Sequence, residues 1–233
     1  METVIAFGDS VLKGIIYENG NYKVTSASFM KILAGEYGLE VVNKARFGCT
    51  VTKGAKIFGR NIDLVRESDS RFVVLEFGGN DCAYDWTEVA SRPEDTHATM
   101  TPVPEFVATY TGIIREIKEL GKTPVLLSLP PIDSEKYFGH ISQGLPEDAL
   151  LRWFCGDKSH IASWHERYNL EVFKLASGCG VPVIDITSAF LSSKNYTRFL
   201  CDDGIHPNRE GHKLIAEAIA EEAGKGSFQR FIL

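Results

Sequence analysis

The sequence lacks the features that would place this protein in a membrane or on nucleic acid. No run of about 18 apolar residues occurs, so no segment is expected to span a bilayer. The net charge is −6, and lysine and arginine form no cluster that would hold a phosphate backbone. We therefore expect no integral membrane segment and no nucleic-acid partner, while the sequence leaves the oligomeric state open.

Signals for secretion and for disulfide formation are also missing. Met1-Glu2-Thr3 leads directly into an apolar run, with no basic stretch and no small-residue cleavage site. The five cysteines are odd in number and have no close-paired spacing, which suits reduced thiols better than a disulfide framework. These observations predict a cytoplasmic protein.

Common cofactor and hydrolase signatures are absent as well. There is no Gly-x-Gly-x-x-Gly loop, no Walker A loop and no Cys-x-x-Cys pair. His165-Glu166 begins like a zinc-protease helix, but the second histidine is missing. We therefore expect no metal and no nucleotide cofactor. The lack of a Gly-x-Ser-x-Gly elbow excludes an ordinary α/β-hydrolase.

What the chain does contain is an alternation of strand-like and helix-like stretches. With 233 residues, 44% apolar and 24% charged, it can bury a sizeable core, and we predict one domain over residues 1–233. The alternation favours a parallel sheet covered on both faces, a three-layer α/β/α sandwich. The predicted strands are Val4–Phe7, Glu40–Lys44, Phe72–Phe77, Pro124–Leu129 and Val181–Ile184. The predicted helices are Ser26–Tyr37, Pro104–Leu120, Ile161–Ser177 and Asn208–Ala223.

Three short motifs carry reactive side chains, and two of them directly follow predicted strands. Ser10, in Gly8-Asp9-Ser10, comes directly after the first predicted strand, and Asn80, in Gly-Gly-Asn-Asp, follows the third. Asp203 and His206 lie three residues apart near the C-terminus. Serine hydrolysis needs a nucleophile, a base and a carboxylate that orients the base. Asn80 is placed to donate a hydrogen bond to an oxyanion.

Together these residues resemble the SGNH hydrolases, also called GDSL-type esterases and lipases. Four blocks match in order: 8–10, 43–48, 78–81 and 203–207; the one departure is Val11, where the family usually has Leu or Ile. The resemblance implies a flavodoxin-like five-stranded parallel sheet in the order 2-1-3-4-5. It also implies that Ser10, His206 and Asp203 are catalytic, and that the Ser10 and Gly48 N–H groups form an oxyanion hole with the Asn80 amide.

Each of these assignments has a plainer alternative. Ser10 fits a helix N-cap, Gly48 a simple turn, and Asn80 a bridge between two loops. The spacing favours Asp203 over Asp202 and His206 over His212. The remaining histidines have no motif around them, and we assign them to surface or loop positions; they are His97, His140, His160 and His165. Asp9 and Asp81 are expected to bond neighbouring backbone and hold the two loops.

Two stretches, residues 82–103 and 130–160, break the alternation and should overhang the site. Long connections are often lids or binding loops, and the alternative is short helices packed on the sheet edge. From the residues and the resemblance we expect a serine ester hydrolase for a small or short-chain acyl ester, with O-acetylated carbohydrate as the leading substrate. The alternatives are a lysophospholipase or thioesterase, a catalytically silent binding module, and a metal-dependent phosphoesterase using Asp202, Asp203, His206 and His212.

Overall fold

The central element is a five-stranded parallel sheet, described in a computed structural model that covers residues 3–224. Residues 1–2 and 225–233 of the predicted domain lie outside the described residues. The sheet contains β1 (Thr3–Gly8), β4 (Glu40–Asn43), β5 (Phe72–Glu76), β6 (Thr123–Leu127) and β7 (Val183–Ile184). Its order is β4-β1-β5-β6-β7, which, counted within the sheet, is 2-1-3-4-5. The predicted strands and their order are confirmed, with ends shifted by one or two residues.

Alternation along the strands builds a core on each face of the sheet. Ile5 and Phe7 point to one core and Ala6 to the other, because successive side chains of a strand point to opposite faces. The helices are α1 (Ser10–Lys13), α2 (Phe29–Tyr37), α3 (Val51–Arg60), α4 (Ile62–Glu67), α5 (Trp86–Ser91), α6 (Val103–Glu119), α7 (Ser134–Ile141), α8 (Glu147–Trp153), α9 (Ser159–Cys179), α10 (Ile186–Leu191) and α11 (Arg209–Gly224).

The helices divide into two layers according to the core they cover. Buried side chains of α3, α4, α6 and α9 pack with Ile5 and Phe7, and those of α1, α2, α10 and α11 pack with Ala6. The predicted three-layer sandwich is therefore confirmed. Among residues 3–224, no helix is both long and apolar enough to cross a bilayer.

The two stretches that break the alternation fold into short helices. We call α5, α7 and α8 the helical cap; they pack around a third apolar cluster that includes Val89, Phe138 and Leu150. Asp85 and Asp133 start α5 and α7 as N-caps, each accepting two backbone N–H groups. The cap stands above the carboxyl end of the sheet, where ligands of open α/β sheets bind.

An antiparallel hairpin, β2 (Ile15–Glu18) and β3 (Asn21–Val24), was not predicted. Its turn is Asn19-Gly20, and both residues have positive φ, 53° and 76°. Two consecutive positive φ values match the twist of a two-residue hairpin, and Asn-Gly tolerates them well. The hairpin follows α1 directly and brings Tyr22 beside the site described next.

Candidate active site

Ser10 lies at the carboxyl end of β1, on the first turn after the strand. Asp9 is the N-cap of α1, with its Oδ1 accepting the Val11 N–H at 2.8 Å. The N-cap role therefore falls to Asp9, and the Ser10 hydroxyl is free to point elsewhere. Its Oγ lies 2.8 Å from His206 Nε2.

The turn that carries Asp203 and His206 is held from several sides. Asp203 Oδ2 lies 2.6 Å from His206 Nδ1, while Oδ1 accepts the Ile205 and His206 N–H groups at 3.2 Å each. Gly204 has φ 75°, and a Cβ there would come within 2.5 Å of the Tyr137 backbone nitrogen. Only glycine fits this close approach between the turn and the start of α7. The turn therefore fixes the histidine ring before substrate arrives.

Ser10, His206 and Asp203 form one continuous hydrogen-bonded chain that is almost fully buried, with exposures of 6%, 5% and 0%. Burial acts to raise the pKa of Asp203, but the hydrogen bonds and charge of His206 outweigh it, so this pKa lies below 3.8. An ionised Asp203 keeps the proton of His206 on Nδ1 and leaves Nε2 to accept from the serine hydroxyl.

The competing acid and base lie elsewhere. The Asp202 side chain is 93% exposed and forms only a long ion pair with Lys136, at 3.9 Å. His212 is fully buried in α11, where its ring stacks on Phe29. Within residues 3–224, no three His, Cys, Asp or Glu side chains are grouped as metal ligands would be. The phosphoesterase alternative therefore lacks its ligand cluster in the described part of the chain.

Of the residues predicted to form an oxyanion hole, Asn80 lines the cavity at Ser10, and Gly48 directly follows Phe47, which also lines it. Gly48 has φ 64°, and its loop is tied to β1 because the Arg46 N–H donates to the Gly8 carbonyl at 3.0 Å. Asn80 Nδ2 donates to Asp9 Oδ2 at 2.8 Å. Asn80 therefore bridges two loops, as the plainer alternative held, and within residues 3–224 the second N–H of its amide has no hydrogen-bond partner. Asp9 and Asp81 bond neighbouring backbone as expected, Asp81 accepting the Val51 N–H at 2.9 Å.

Behind Asp9 lies a buried acid that we did not identify from the sequence, Glu76. Its Oε2 accepts the Asp9 and Leu12 N–H groups at 3.4 and 3.3 Å, and its carboxyl group is hydrogen-bonded to that of Asp9. Burial, followed by the charge of Asp9, holds the pKa of Glu76 well above 4.5. Burial also raises the pKa of Asp9, but hydrogen bonds from Glu76, Val11 and Asn80 act to lower it, so we assign the shared proton to Glu76. A hydrogen-bonded path runs from Glu76 through Asp9 to Asn80.

A small cavity opens at Ser10, between the sheet and the helical cap. It has a volume of about 50 Å³ and is lined by Ser10, Asn80, Leu129, His165 and Ile205, among others. A second cavity of about 20 Å³ adjoins it and shares Gly79, His165 and Ile205 in its lining. Aromatic side chains in and beside the helical cap line this second cavity; they are Tyr84, Trp86, Tyr137 and Phe154. The long stretches thus form short helices and also shape the cavity.

Beside His206, the surface is aromatic and open, and one of its rings, Phe47, also lines the cavity at Ser10. We call Tyr17, Tyr22, Phe47 and His140 the aromatic rim. The Phe47 ring lies nearly parallel to that of His206, at 6.1 Å between centroids, and Tyr22 meets His206 edge-on at 5.3 Å. Tyr22 and Phe47 are 40% and 50% exposed. The Tyr22 hydroxyl is hydrogen-bonded to His140 Nε2 at 2.8 Å.

The assignment of the four remaining histidines to surface or loop positions was wrong for His165. His165 is buried in α9 and lines both cavities. His140 lies on α7 and belongs to the aromatic rim. A signal for His165 was present, because it falls at helical spacing with Ile161, Tyr168 and Val172, all of them buried.

Comparison with known proteins agrees with this arrangement. The model of the GDSL-like lipase/acylhydrolase family matches residues 6–214. The chain belongs to this family. It is 25% identical over 231 residues to thioesterase 1/protease 1/lysophospholipase L1 of Escherichia coli (strain K12), covering 95% of this chain and 83% of the relative. It is 20% identical over 219 residues to a GDSL esterase/lipase of Arabidopsis thaliana, covering 93% and 76%.

Solved structures share the fold of this GDSL-family protein. A lipase/acylhydrolase from Enterococcus faecalis superposes with a TM-score of 0.64 at 20% identity, covering 97% of both chains. A catalytic mutant of an acetylxylan esterase from Geobacillus stearothermophilus gives 0.67 at 20% identity, covering 96% of this chain and 94% of that one. The resemblance to SGNH hydrolases is confirmed, and the protein is a carboxylic ester hydrolase.

Proposed function

We propose that this esterase uses Ser10 to remove a short acyl group from an ester of a carbohydrate. The observation that carries the proposal is the buried hydrogen-bonded chain from Ser10 through His206 to Asp203. A serine hydroxyl is a weak nucleophile unless a base takes its proton, and His206 Nε2 stands at hydrogen-bonding distance to do so.

In this mechanism Ser10 Oγ attacks the ester carbonyl carbon while His206 Nε2 takes the hydroxyl proton. Asp203 holds the resulting imidazolium in place. The Ser10 and Gly48 N–H groups and the free N–H of Asn80 bind the oxyanion of the tetrahedral intermediate. His206 then gives its proton to the departing alcohol oxygen as the carbon–oxygen bond breaks, and a water molecule repeats the sequence to release the acid.

The size of the cavity supports a short acyl group. A cavity that holds one water molecule needs roughly 10–15 Å³. The cavity of about 50 Å³ at Ser10 therefore accommodates about four non-hydrogen atoms, close to an acetyl group. The adjoining cavity, with its aromatic lining, measures only about 20 Å³, which is too small for a long alkyl chain.

The aromatic rim supports a carbohydrate on the alcohol side. The leaving oxygen must lie near His206 Nε2, because this atom protonates it. The alcohol therefore extends past His206, toward Tyr22 and Phe47. Exposed aromatic faces with a hydroxyl and an imidazole at their edge offer a sugar ring both an apolar surface and hydrogen-bonding groups. The similarity to an acetylxylan esterase fits this substrate class.

The test is a series of 4-nitrophenyl esters from acetate to palmitate, followed by acetylated xylo-oligosaccharides. We expect kcat/KM to be highest at acetate or propionate and to fall steeply by octanoate. Tyr22→Ala should raise KM for the acetylated sugar but not for ethyl acetate, while Tyr37→Ala, on the remote helix α2, should change neither. A maximum at eight carbons or more would instead favour the thioesterase or lysophospholipase alternative, which the E. coli relative supports.

Two further expectations stay predictions. The first is the cytoplasmic location, which rests on the cysteine pattern. The second is that the protein is an active enzyme and not a silent binding module of the same fold. The intact Ser10, Asn80, Asp203 and His206 support activity, because each has a defined place in the mechanism above.

A further inference from the structure

His165 is a buried polar side chain that the mechanism above does not use. It lies on α9, is 4% exposed, and lines both the cavity at Ser10 and the smaller cavity beside it. Within residues 3–224, its ring has no hydrogen-bond partner. Its ring nitrogens are not among the fully enclosed side-chain atoms, so they reach the cavity surface, where a ligand can supply the missing partner.

The protonation state of His165 defines what it can bind. Burial lowers the pKa of His165 to about 4. At neutral pH the ring is therefore uncharged, with one nitrogen that donates and one that accepts. Such a ring matches a neutral hydroxyl or carbonyl oxygen and has no charge to offer a carboxylate or phosphate.

The position of His165 places that oxygen on the acyl part of the substrate. The alcohol leaves past His206 toward the aromatic rim, whereas His165 lines both cavities. The smaller cavity, about 20 Å³, has room for about one water-sized group. Apart from His165, its lining is mainly apolar and aromatic, with other polar atoms on Cys82 and at the edges of tyrosine and tryptophan rings. The neutral imidazole is the strongest hydrogen-bond acceptor among these side chains.

We propose that His165 selects a short acyl group that carries a hydroxyl, so that the preferred substrates are hydroxyacyl esters and not plain alkanoyl esters. This inference rests on the proposed esterase mechanism and deepens it. The carbonyl carbon sits at Ser10, the acyl chain crosses the first cavity, and its hydroxyl enters the second, where His165 is its hydrogen-bond partner.

The experiment compares matched ethyl esters that differ by one hydroxyl: lactate against propionate, and 3-hydroxybutyrate against butyrate. The measured quantity is the ratio of kcat/KM for each pair, in wild type, His165→Leu and His165→Gln. The control is His160→Leu, an exposed position on the same helix. Thermal melts establish that each variant is folded.

For at least one pair, we expect wild type to favour the hydroxy ester and His165→Leu to reduce that preference roughly 10-fold to 100-fold, since a buried polar group left unpaired is costly. His165→Gln, which keeps a donor and an acceptor, should retain part of the preference, and His160→Leu all of it. Wild type that favours the plain ester of both pairs overturns the inference even if no variant folds.

An unchanged ratio in folded His165→Leu also overturns the inference, and means that His165 is satisfied by an ordered water molecule or is purely structural. The underlying mechanism is tested separately on ethyl acetate. Hydrolysis that Ser10→Ala abolishes, with an unchanged hydroxyl preference in His165→Leu, leaves the esterase proposal intact and removes only the role of His165. If wild type hydrolyses none of these esters, both the esterase proposal and the role of His165 are overturned.

Discussion

The substitution Glu76→Gln should make the stability of the protein less sensitive to rising pH. In wild type, burial and the neighbouring Asp9 raise the pKa of Glu76 well above its ordinary value of 4.5. Between 4.5 and this raised pKa, the folded state holds a proton that the unfolded state has released. Stability then falls as pH rises, because the unfolded state binds fewer protons. The contribution of Glu76 is fully present below 4.5 and is lost as pH passes through the raised value.

The size of the effect follows from one proton. One pH unit changes the free energy of unfolding by at most about 1.4 kcal/mol per proton. Between pH 5 and pH 7, the free energy of unfolding of Glu76→Gln should therefore rise by up to roughly 3 kcal/mol relative to that of wild type. Glutamine also keeps a donor for Asp9. Glu76→Ala removes that donor and leaves a void, which should cost about 2–5 kcal/mol.

The assay is urea unfolding at pH 5, 6, 7 and 8 for wild type, Glu76→Gln and Glu76→Ala. Activity at pH 7 gives a second readout, because Asp9 holds the amide of Asn80. We expect Glu76→Gln to keep most of kcat and Glu76→Ala to lose much of it. A stability difference between wild type and Glu76→Gln that stays constant with pH would refute the assignment of the buried proton to Glu76.

The remaining predictions concern the oxyanion donor, the orienting acid and a buried histidine. Asn80→Ala should lower kcat about 10²–10³-fold with little change in KM, because its amide acts in the transition state; an unchanged kcat in steady-state assays would contradict its role. Asp203→Ala should cost less than Ser10→Ala, about 10⁴-fold against about 10⁶-fold in kcat, and equal losses would contradict this order. Burial lowers the pKa of His212 to about 4 from 6.5, so its contribution to stability is present above 6.5 and is lost as pH falls toward 4. From pH 7 to pH 4, the free energy of unfolding measured with urea should therefore fall by up to roughly 3 kcal/mol less in His212→Phe than in wild type. An equal fall in both proteins would show that His212 is not buried in its neutral form.

The sheet was predictable because its signal is local. Each strand is a short apolar run, and the reactive motifs follow directly at the carboxyl ends. The resemblance to SGNH hydrolases supplied the strand order, which spacing alone does not determine. Asp203 and His206 were predictable together because one tight turn presents both side chains, whereas their approach to Ser10 depends on the whole sheet.

The missed features divide into those with a sequence signal and those without. Asn19-Gly20 between two β-branched or aromatic runs is a strong hairpin signal, so Tyr22 could have been placed on a hairpin. His165 likewise shares a helical face with buried residues. Glu76 was harder, because an acid at the end of an apolar strand is usually solvated, and only its neighbour Asp9 explains its burial. The helical cap could not be predicted because its short helices pack on one another through residues that are far apart in the sequence.

The most direct test of the mechanism is reaction of the protein with a serine-directed phosphonate, alongside hydrolysis of 4-nitrophenyl acetate in the presence of a chelator. The control variant is Ser192→Ala, at an exposed serine that follows the end of α10. The account predicts one phosphonyl group per protein on Ser10 and a parallel loss of activity. It also predicts that Ser10→Ala is unlabelled and inactive, with no effect of the chelator. Full activity after labelling, an active Ser10→Ala, or loss of activity with the chelator alone would contradict it.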